Sequence, residues 1–249
     1  MSATKPTIVL VPGAWHCPAH YSLLTSSLES HGYTVHGVTL PSCTDSPENI
    51  DFTPDVAAVN STIEQLADQG KDILVLMHSA GGIIGSEACK YLSSTERSQA
   101  GKPGGVVSLF YMCAFAIPEN VSLASAMGGT LAPWVSIAAD GISTIPTDVD
   151  EVFYNDTPAH LVEEQKALIK PFAKVVFFSD VTYAAWKGIP STYLICERDR
   201  AVPAFVQEGL VKQEGAKFEV VRVDAGHIPW LSKTEEVVYA VRRAAGEVL

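Results

Sequence analysis

Residues 73–82 read Ile73-Leu74-Val75-Leu76-Met77-His78-Ser79-Ala80-Gly81-Gly82. Five consecutive apolar residues predict a strand buried on both faces. The small residues that follow predict a sharp turn into a helix reaching about Leu92. A serine at such a junction is usually only a helix cap. Its setting here matches a nucleophile elbow, a strained turn that lifts the serine hydroxyl clear of the sheet. That turn crowds the residues two positions before and after the serine, so both are expected to be small. Gly81 satisfies this and Met77 departs from it. The backbone N–H of Ala80, at the helix N-terminus, would point at a developing oxyanion.

Similar strand–helix alternation flanks this stretch. Thr7 to Val11 predicts a strand, Tyr21 to Ser30 a helix, and Tyr33 to Leu40 the next strand. Thr53-Pro54 reads as an N-cap and first turn, with Val56, Val59, Ile63 and Leu66 at helical spacing. Val106 to Ala114, Thr192 to Cys196 and Lys217 to Val223 predict three further strands. A helix opened by Pro203 and closed near Gly215 lies between the last two. Ser232 with Glu235 resembles a capping box for a final helix carrying Val237, Val238 and Val241. Continuously apolar strands separated by helices imply an α/β fold, a mostly parallel sheet of about six strands covered on both faces. Between Ile117 and Pro190 no core strand is evident. The expectation is a core formed by residues 1–117 and 191–249, with residues 118–190 as a helical cap insertion whose helix starts at Thr157-Pro158. Its aromatic residues Trp134, Phe153, Tyr183 and Trp186 are candidates to line a substrate pocket.

A serine hydroxyl is a weak nucleophile until a base takes its proton. His227 follows the last strand, in Val223-Asp224-Ala225-Gly226-His227-Ile228-Pro229, where Gly226 lets the loop turn. The base in turn needs a carboxylate to fix its tautomer. Asp199 lies just past the fifth strand, in Cys196-Glu197-Arg198-Asp199-Arg200. Glu197 is too near the strand end, and Asp224 is awkwardly close to His227 in sequence. The bland reading of Asp199 is a solvated carboxylate held by Arg198 or Arg200. The order Ser79, Asp199, His227 is the chain order of the α/β-hydrolase triad. A second oxyanion donor is expected after the first strand, in Val11-Pro12-Gly13-Ala14-Trp15-His16. There the Ala14 N–H is the candidate, with Gly13 and Trp15 beside the substrate. His16 reads as a structural hydrogen-bonding residue.

The chain has 249 residues, 47% hydrophobic and 18% charged, enough to bury a large core. A net charge of −11 without a basic run argues against nucleic acid or an anionic membrane as partner. Five scattered cysteines suit neither a disulfide framework nor a zinc site, and no metal or cofactor motif appears. No signal-peptide pattern and no membrane-length apolar run are present, so a cytoplasmic protein is expected. A homodimer is compatible with the sequence, which does not reveal the oligomeric state.

Together, Pro12-Gly13-Ala14-Trp15-His16, His78-Ser79-Ala80-Gly81-Gly82, Asp199, Gly226-His227 and Leu231-Ser232-Lys233 resemble the plant methyl esterase and hydroxynitrile lyase family and related fungal hydrolases. The resemblance implies a hydrolase of a small, largely apolar ester or lactone, working without a cofactor. The lyase members of that family carry a threonine in the oxyanion loop and a lysine directly after the catalytic histidine. Gly13 and Ile228 stand at those positions here. A C–C bond lyase and a low-turnover small-molecule receptor on the same fold are the alternatives.

Overall fold

The computed structural model describes residues 5–47 and 51–249. β1 (Thr7–Val11) leads through a 3₁₀ turn at Pro18–Tyr21 to α1 (Ser22–Ser30), β2 (Val35–Gly37), α2 (Thr53–Asp68), β3 (Asp72–His78), α3 (Gly81–Ala88), α4 (Ser94–Gln99) and β4 (Gly105–Met112). An excursion follows with α5 (Leu123–Ala126), β5 (Val135–Ile137), β6 (Ser143–Pro146), α6 (Val149–Val152), α7 (Ala159–Ala167) and β7 (Phe172–Ala173). The chain then returns through β8 (Ser191–Cys196), α8 (Ala204–Lys212), β9 (Phe218–Val223), α9 (Pro229–Ser232) and α10 (Thr234–Ala244).

Six strands form one sheet in the order β2-β1-β3-β4-β8-β9, and every neighbouring pair is parallel. The apolar runs explain this arrangement. Every residue of β1 and β8 is buried, as is β3 from Ile73 onward, while the edge strands β2 and β9 leave residues exposed. Each fully buried Val, Leu or Ile contributes about 1.5–3 kcal/mol, so the central strands add substantially to stability. The chain leaves β1 toward β2 on one side and then runs from β3 through β4, β8 and β9 on the other. That reversal opens a crevice at the carboxyl ends of β1 and β3, the usual ligand site of such a sheet.

Several element limits differ from the sequence expectation. Only Val35–Gly37 of the Tyr33–Leu40 stretch is strand, paired with β1, while Thr34 and Val38 on either side each add one backbone bond to it. α3 stops at Ala88, short of Leu92, and Tyr91 beyond it has φ +63°. Thr53 is the first residue of α2 rather than its N-cap, which is Phe52 without a side-chain cap bond; Asp51 Oδ1 accepts the Thr53 N–H at 2.7 Å just ahead of the helix. The expected Ser232–Glu235 capping box is absent. Lys233 occupies the N-cap of α10 without a side-chain cap bond, and the Ser232 hydroxyl instead donates to Asp156 Oδ2 at 2.8 Å.

Residues 118–190 are mixed rather than purely helical. β5, β6 and β7 form a small antiparallel sheet. Its hairpin turns at Asp140-Gly141: Asp140 Oδ1 accepts the N–H groups of Ile142 and Ser143, both at 2.9 Å, and Gly141 takes φ +70°. An Asp-Gly pair between short alternating runs is a hairpin signal. The excursion is tied to the main sheet by the β1 loop, where the Lys170 N–H donates to the Trp15 carbonyl at 3.1 Å. All five cysteines are free. No helix among the described residues is long and apolar enough to cross a membrane.

Candidate active site

Ser79 sits between β3 and α3 with φ +52°, in the left-handed region that a side chain normally avoids. Its carbonyl accepts the N–H groups of Gly82 and Phe115, both at 3.0 Å, which holds the turn. A Cβ at Gly81 would lie 2.4 Å from the Pro12 carbonyl oxygen, and one at Gly82 would lie 2.6 Å from the Phe115 oxygen. Both glycines are therefore required by backbone that cannot move aside. Met77 is accommodated differently from the expectation that its position must be small. Its side chain runs against α3 at Gly85, where a Cβ would meet Met77 Cγ at 2.6 Å and Sδ at 2.7 Å. The missing side chain at Gly85 makes the room.

Asp199 and His227 meet as the loops after β8 and β9 converge. His227 Nδ1 lies 2.8 Å from Asp199 Oδ2, and both side chains are buried. Asp199 Oδ1 accepts the N–H groups of Ala201 and Val202, each at 2.8 Å, and Gln207 Nε2 donates to Oδ2 at 3.2 Å. Four donors thus fix the carboxylate toward the imidazole. Asp199 is not the solvated partner of Arg198 or Arg200, which pair with Asp224 and Glu151 instead. Glu197 faces Arg222 on the surface. Gln207 was not legible in the sequence; it is a buried polar residue on α8, and no motif singles it out. Gly226 serves close approach: a Cβ there would lie 2.2 Å from Asn155 Oδ1.

In the β1 loop, Gly13 packs directly on the elbow, since a Cβ there would lie 2.8 Å from Ser79 Cβ. Its own N–H is committed to the Tyr21 hydroxyl at 3.1 Å. Among the described residues, the N–H groups of Ala14 and Ala80 donate to no protein acceptor. Trp15, with φ +63°, donates its indole N–H to the Thr144 carbonyl at 3.1 Å, clamping β6 over the loop. His16 Nδ1 bonds the Ala14 carbonyl at 2.7 Å. Burial, followed by the nearby His20, pushes the His16 pKa well down, which favours a neutral ring.

A cavity of about 40 Å³ opens over Ser79, Ala14 and Ala80. Trp15 and Trp134 line it, together with Phe115, Leu123, Met127, Leu131 and Phe177. Thr130 is its one uncharged polar side chain besides Ser79, and no charged side chain faces it. A second cavity of about 220 Å³, at the surface, shares Met127, Thr130, Leu131, Ala132, Trp134 and Ala201 with the first. Three of the aromatic residues expected to line the pocket do so neither here nor there. Phe153 stacks on the His227 ring instead, with centroids 5.6 Å apart. Tyr183 is drawn to α3 by its N–H bond to Glu87 at 2.9 Å. Trp186 packs on Phe218 and donates to the Ile117 carbonyl at 3.3 Å.

His78, Cys113 and His227 are close enough to suggest a metal site, but their donor set does not fit one. His78 Nε2 and Cys113 Sγ both face the His227 carbonyl oxygen, at 3.0 and 3.4 Å, and His227 Nδ1 faces Asp199. Both ring nitrogens of His78 and the Cys113 thiol are thus already engaged in hydrogen bonds, and His227 Nε2 alone does not make a metal site.

Known proteins of the same architecture carry comparable chains. The chain is 38% identical over 248 residues to alpha/beta hydrolase nvfD of Aspergillus novofumigatus, covering 98% of each. The solved structure of a pyrethroid hydrolase from Sphingobium faniae superposes with a TM-score of 0.77 at 21% identity, covering 98% of both chains. That of a methylesterase from Arabidopsis does so with a TM-score of 0.79 at 18% identity, covering 97% of this chain and 99% of the other. The profile of the alpha/beta hydrolase family matches residues 8–241. With the parallel sheet, the positive-φ serine and these relatives in agreement, the chain belongs to the alpha/beta hydrolase family and is a hydrolase.

Proposed function

We propose that the protein is a serine hydrolase that cleaves a carboxylic ester or lactone of a small, largely apolar substrate. The observation that carries this reading is the Asp199–His227 contact at 2.8 Å through Nδ1. With Nδ1–H donated to the carboxylate, Nε2 is the nitrogen left to take the Ser79 proton. Ser79 Oγ then attacks the carbonyl carbon, the alcohol leaves with the proton from His227, and an acyl-enzyme forms. His227 next takes a proton from water as it attacks the acyl carbon, and returns that proton to Ser79 Oγ as the acyl–oxygen bond breaks and the acid is released. The Ala14 and Ala80 N–H groups are the oxyanion donors, supported by their lack of other protein acceptors. Ser79 and His227 share no hydrogen bond among the described residues, as is common at unliganded sites where such contacts tighten on substrate binding.

Residues 118–190 act as the cap in this reading, and their apolar side chains over Ser79 favour an uncharged acyl group. Ile228, fully buried, stands where the lyases of the resembled family carry lysine. Lys233 is engaged with Glu236 at 3.2 Å, and among the described residues no cationic side chain lines the cavity over Ser79 to receive a departing cyanide. The test is a series of p-nitrophenyl esters of rising chain length, together with lactones and mandelonitrile, on wild type and Ser79→Ala. Ser79-dependent hydrolysis of short esters without cyanide release is expected. Robust cyanide release lost in Ser79→Ala would convert the reading to a lyase. Specific ligand binding with no turnover of any substrate would convert it to a receptor.

A further inference from the structure

We propose that Tyr21 and His78 are positioning residues, linking the oxyanion loop to the catalytic histidine through one buried hydrogen-bond chain. The inference rests on the reading of Ser79 and His227 as nucleophile and base. The chain runs through four groups. The Gly13 N–H lies 3.1 Å from the Tyr21 hydroxyl. That hydroxyl lies 2.7 Å from His78 Nδ1. His78 Nε2 lies 3.0 Å from the carbonyl oxygen of His227. Gly13 directly precedes the oxyanion donor Ala14, and His78 directly precedes Ser79. Three separate segments of the site are therefore joined by two side chains.

The direction of every proton in this chain follows from its ends. A carbonyl oxygen can only accept, so His78 Nε2 must carry a proton. Burial, then the neighbouring His227 and His16, hold the His78 pKa well below its usual value, so the ring is neutral and Nδ1 is bare. Nδ1 must then accept the Tyr21 O–H, which leaves the phenol oxygen to accept the Gly13 N–H. For a neutral ring this is the one assignment that satisfies all three contacts. Both rings are also held by packing. Tyr21 stacks on Trp230 with centroids 4.3 Å apart, and His78 meets the same indole edge-on at 4.9 Å. Trp230 is itself fixed by its N–H bond to the His20 carbonyl at 2.9 Å. Both polar side chains are fully buried, and neither lines the cavity over Ser79. They act on the reaction only through the backbone they hold. A displacement of about 1 Å at such a site is enough to cost about 100-fold in rate.

The test compares wild type, Tyr21→Phe, His78→Leu, His78→Gln and Ser79→Ala as full chains. It reads kcat and KM on a short p-nitrophenyl ester, the rate of Ser79 labelling by a fluorophosphonate, and Tm. Tyr21→Phe keeps the stack on Trp230 and removes only the hydroxyl. We expect it to lower kcat about 10-fold with KM within about twofold. His78→Leu should lower kcat about 100-fold. His78→Gln, whose amide can still donate to the His227 carbonyl, should recover most of that loss. Wild-type kcat in Tyr21→Phe, or a His78→Gln variant as impaired as His78→Leu, would overturn the proposal. If His78→Leu fails to fold, Tyr21→Phe decides alone. Absence of any Ser79-dependent turnover or labelling in wild type would show that the hydrolase reading had failed, and the positioning role would fall with it.

Discussion

The floor and the roof of the cavity over Ser79 are built from different materials. The floor is backbone and buried polar contacts. Ser79 is held at φ +52°, Gly81 presses on the Pro12 carbonyl, and Asp199 is gripped by four donors. The roof is apolar side chain. Leu123, Met127, Leu131 and Trp134 close over the site, on a segment that includes Gly128 and Gly129 at φ +92° and +88° with nothing packed against them. A backbone-built floor tolerates almost no substitution, whereas a roof of side chains can be recut without disturbing the chemistry. In the proposed hydrolase, reaction type and substrate choice would therefore be carried by separate parts of the chain.

The sharpest way to break this division is at the floor. Asp199→Asn keeps the shape of the carboxylate but gives the wrong partner to Nδ1, and should lower kcat by about 10⁴-fold. Glu197→Gln, on the surface, should leave kcat near wild type. A reversed pair of results in ester hydrolysis would move the acid away from the floor.

The floor should also be the part of the molecule most sensitive to acid. Burial lowers the pKa of His16 and His78, and that of His20 to about 4. The folded protein keeps these rings neutral, while the unfolded chain protonates them below about pH 6.5. The unfolded state then binds more protons, so stability falls as pH falls through that value. The loss is about 1.4 kcal/mol per pH unit for each histidine, and for His20 it ends near pH 4. Urea unfolding at pH 7.0 and 5.5 measures this, and equal stabilities at the two values would contradict it. The roof residues that line the cavity include no titratable side chain, so substitutions there should leave the slope unchanged.

A smaller effect is expected beneath the elbow. Gly85→Ala drives a methyl into Met77 and should cost about 1–3 kcal/mol by overpacking. In the double variant with Met77→Ala, the added methyl meets vacated space, so the two costs should sum to more than the double variant loses. Strict additivity in a denaturant cycle would show that Gly85 is not what accommodates Met77. The smallest change is expected at the roof. Trp134→Ala should shift ester preference toward longer acyl chains, with kcat/KM altered by about tenfold and the rate of Ser79 labelling by a small probe unchanged. Equal loss for all chain lengths would mean that Trp134 supports the floor instead.

The same division explains how far the sequence could be read. The floor was legible because its requirements are local and chemically narrow: a strand, a serine and Gly81 within nine residues, then Asp199 and His227 each just beyond a strand. The structure brings Asp199 and His227 together as that pattern implies. The α/β sheet was legible because β1, β3 and β8 carry the unbroken apolar runs Ile8–Val11, Ile73–Met77 and Tyr193–Cys196. What was not legible depends on three-dimensional compensation. Met77 looked like a defect until Gly85, eight positions later, supplied its space. Gln207, Tyr21 and His78 act through partners distant in sequence. The roof was misread for a related reason. Aromatic content nominated Phe153, Tyr183 and Trp186, but large rings find other burial sites as readily as a cavity wall, whereas Met127 and Leu131 carry no distinctive signal. The hairpin at Asp140-Gly141 carried a local signal that the expectation of a helical insertion overlooked.

Covalent labelling tests the proposed role of Ser79 as nucleophile without reference to any particular substrate. Wild type and Ser79→Ala would be treated with a fluorophosphonate, then examined by intact-mass and peptide-mapping mass spectrometry. A single adduct on the peptide containing Ser79 is expected, and none in the Ser79→Ala protein. An adduct that persists in Ser79→Ala, or that maps to another residue in wild type, would contradict that role.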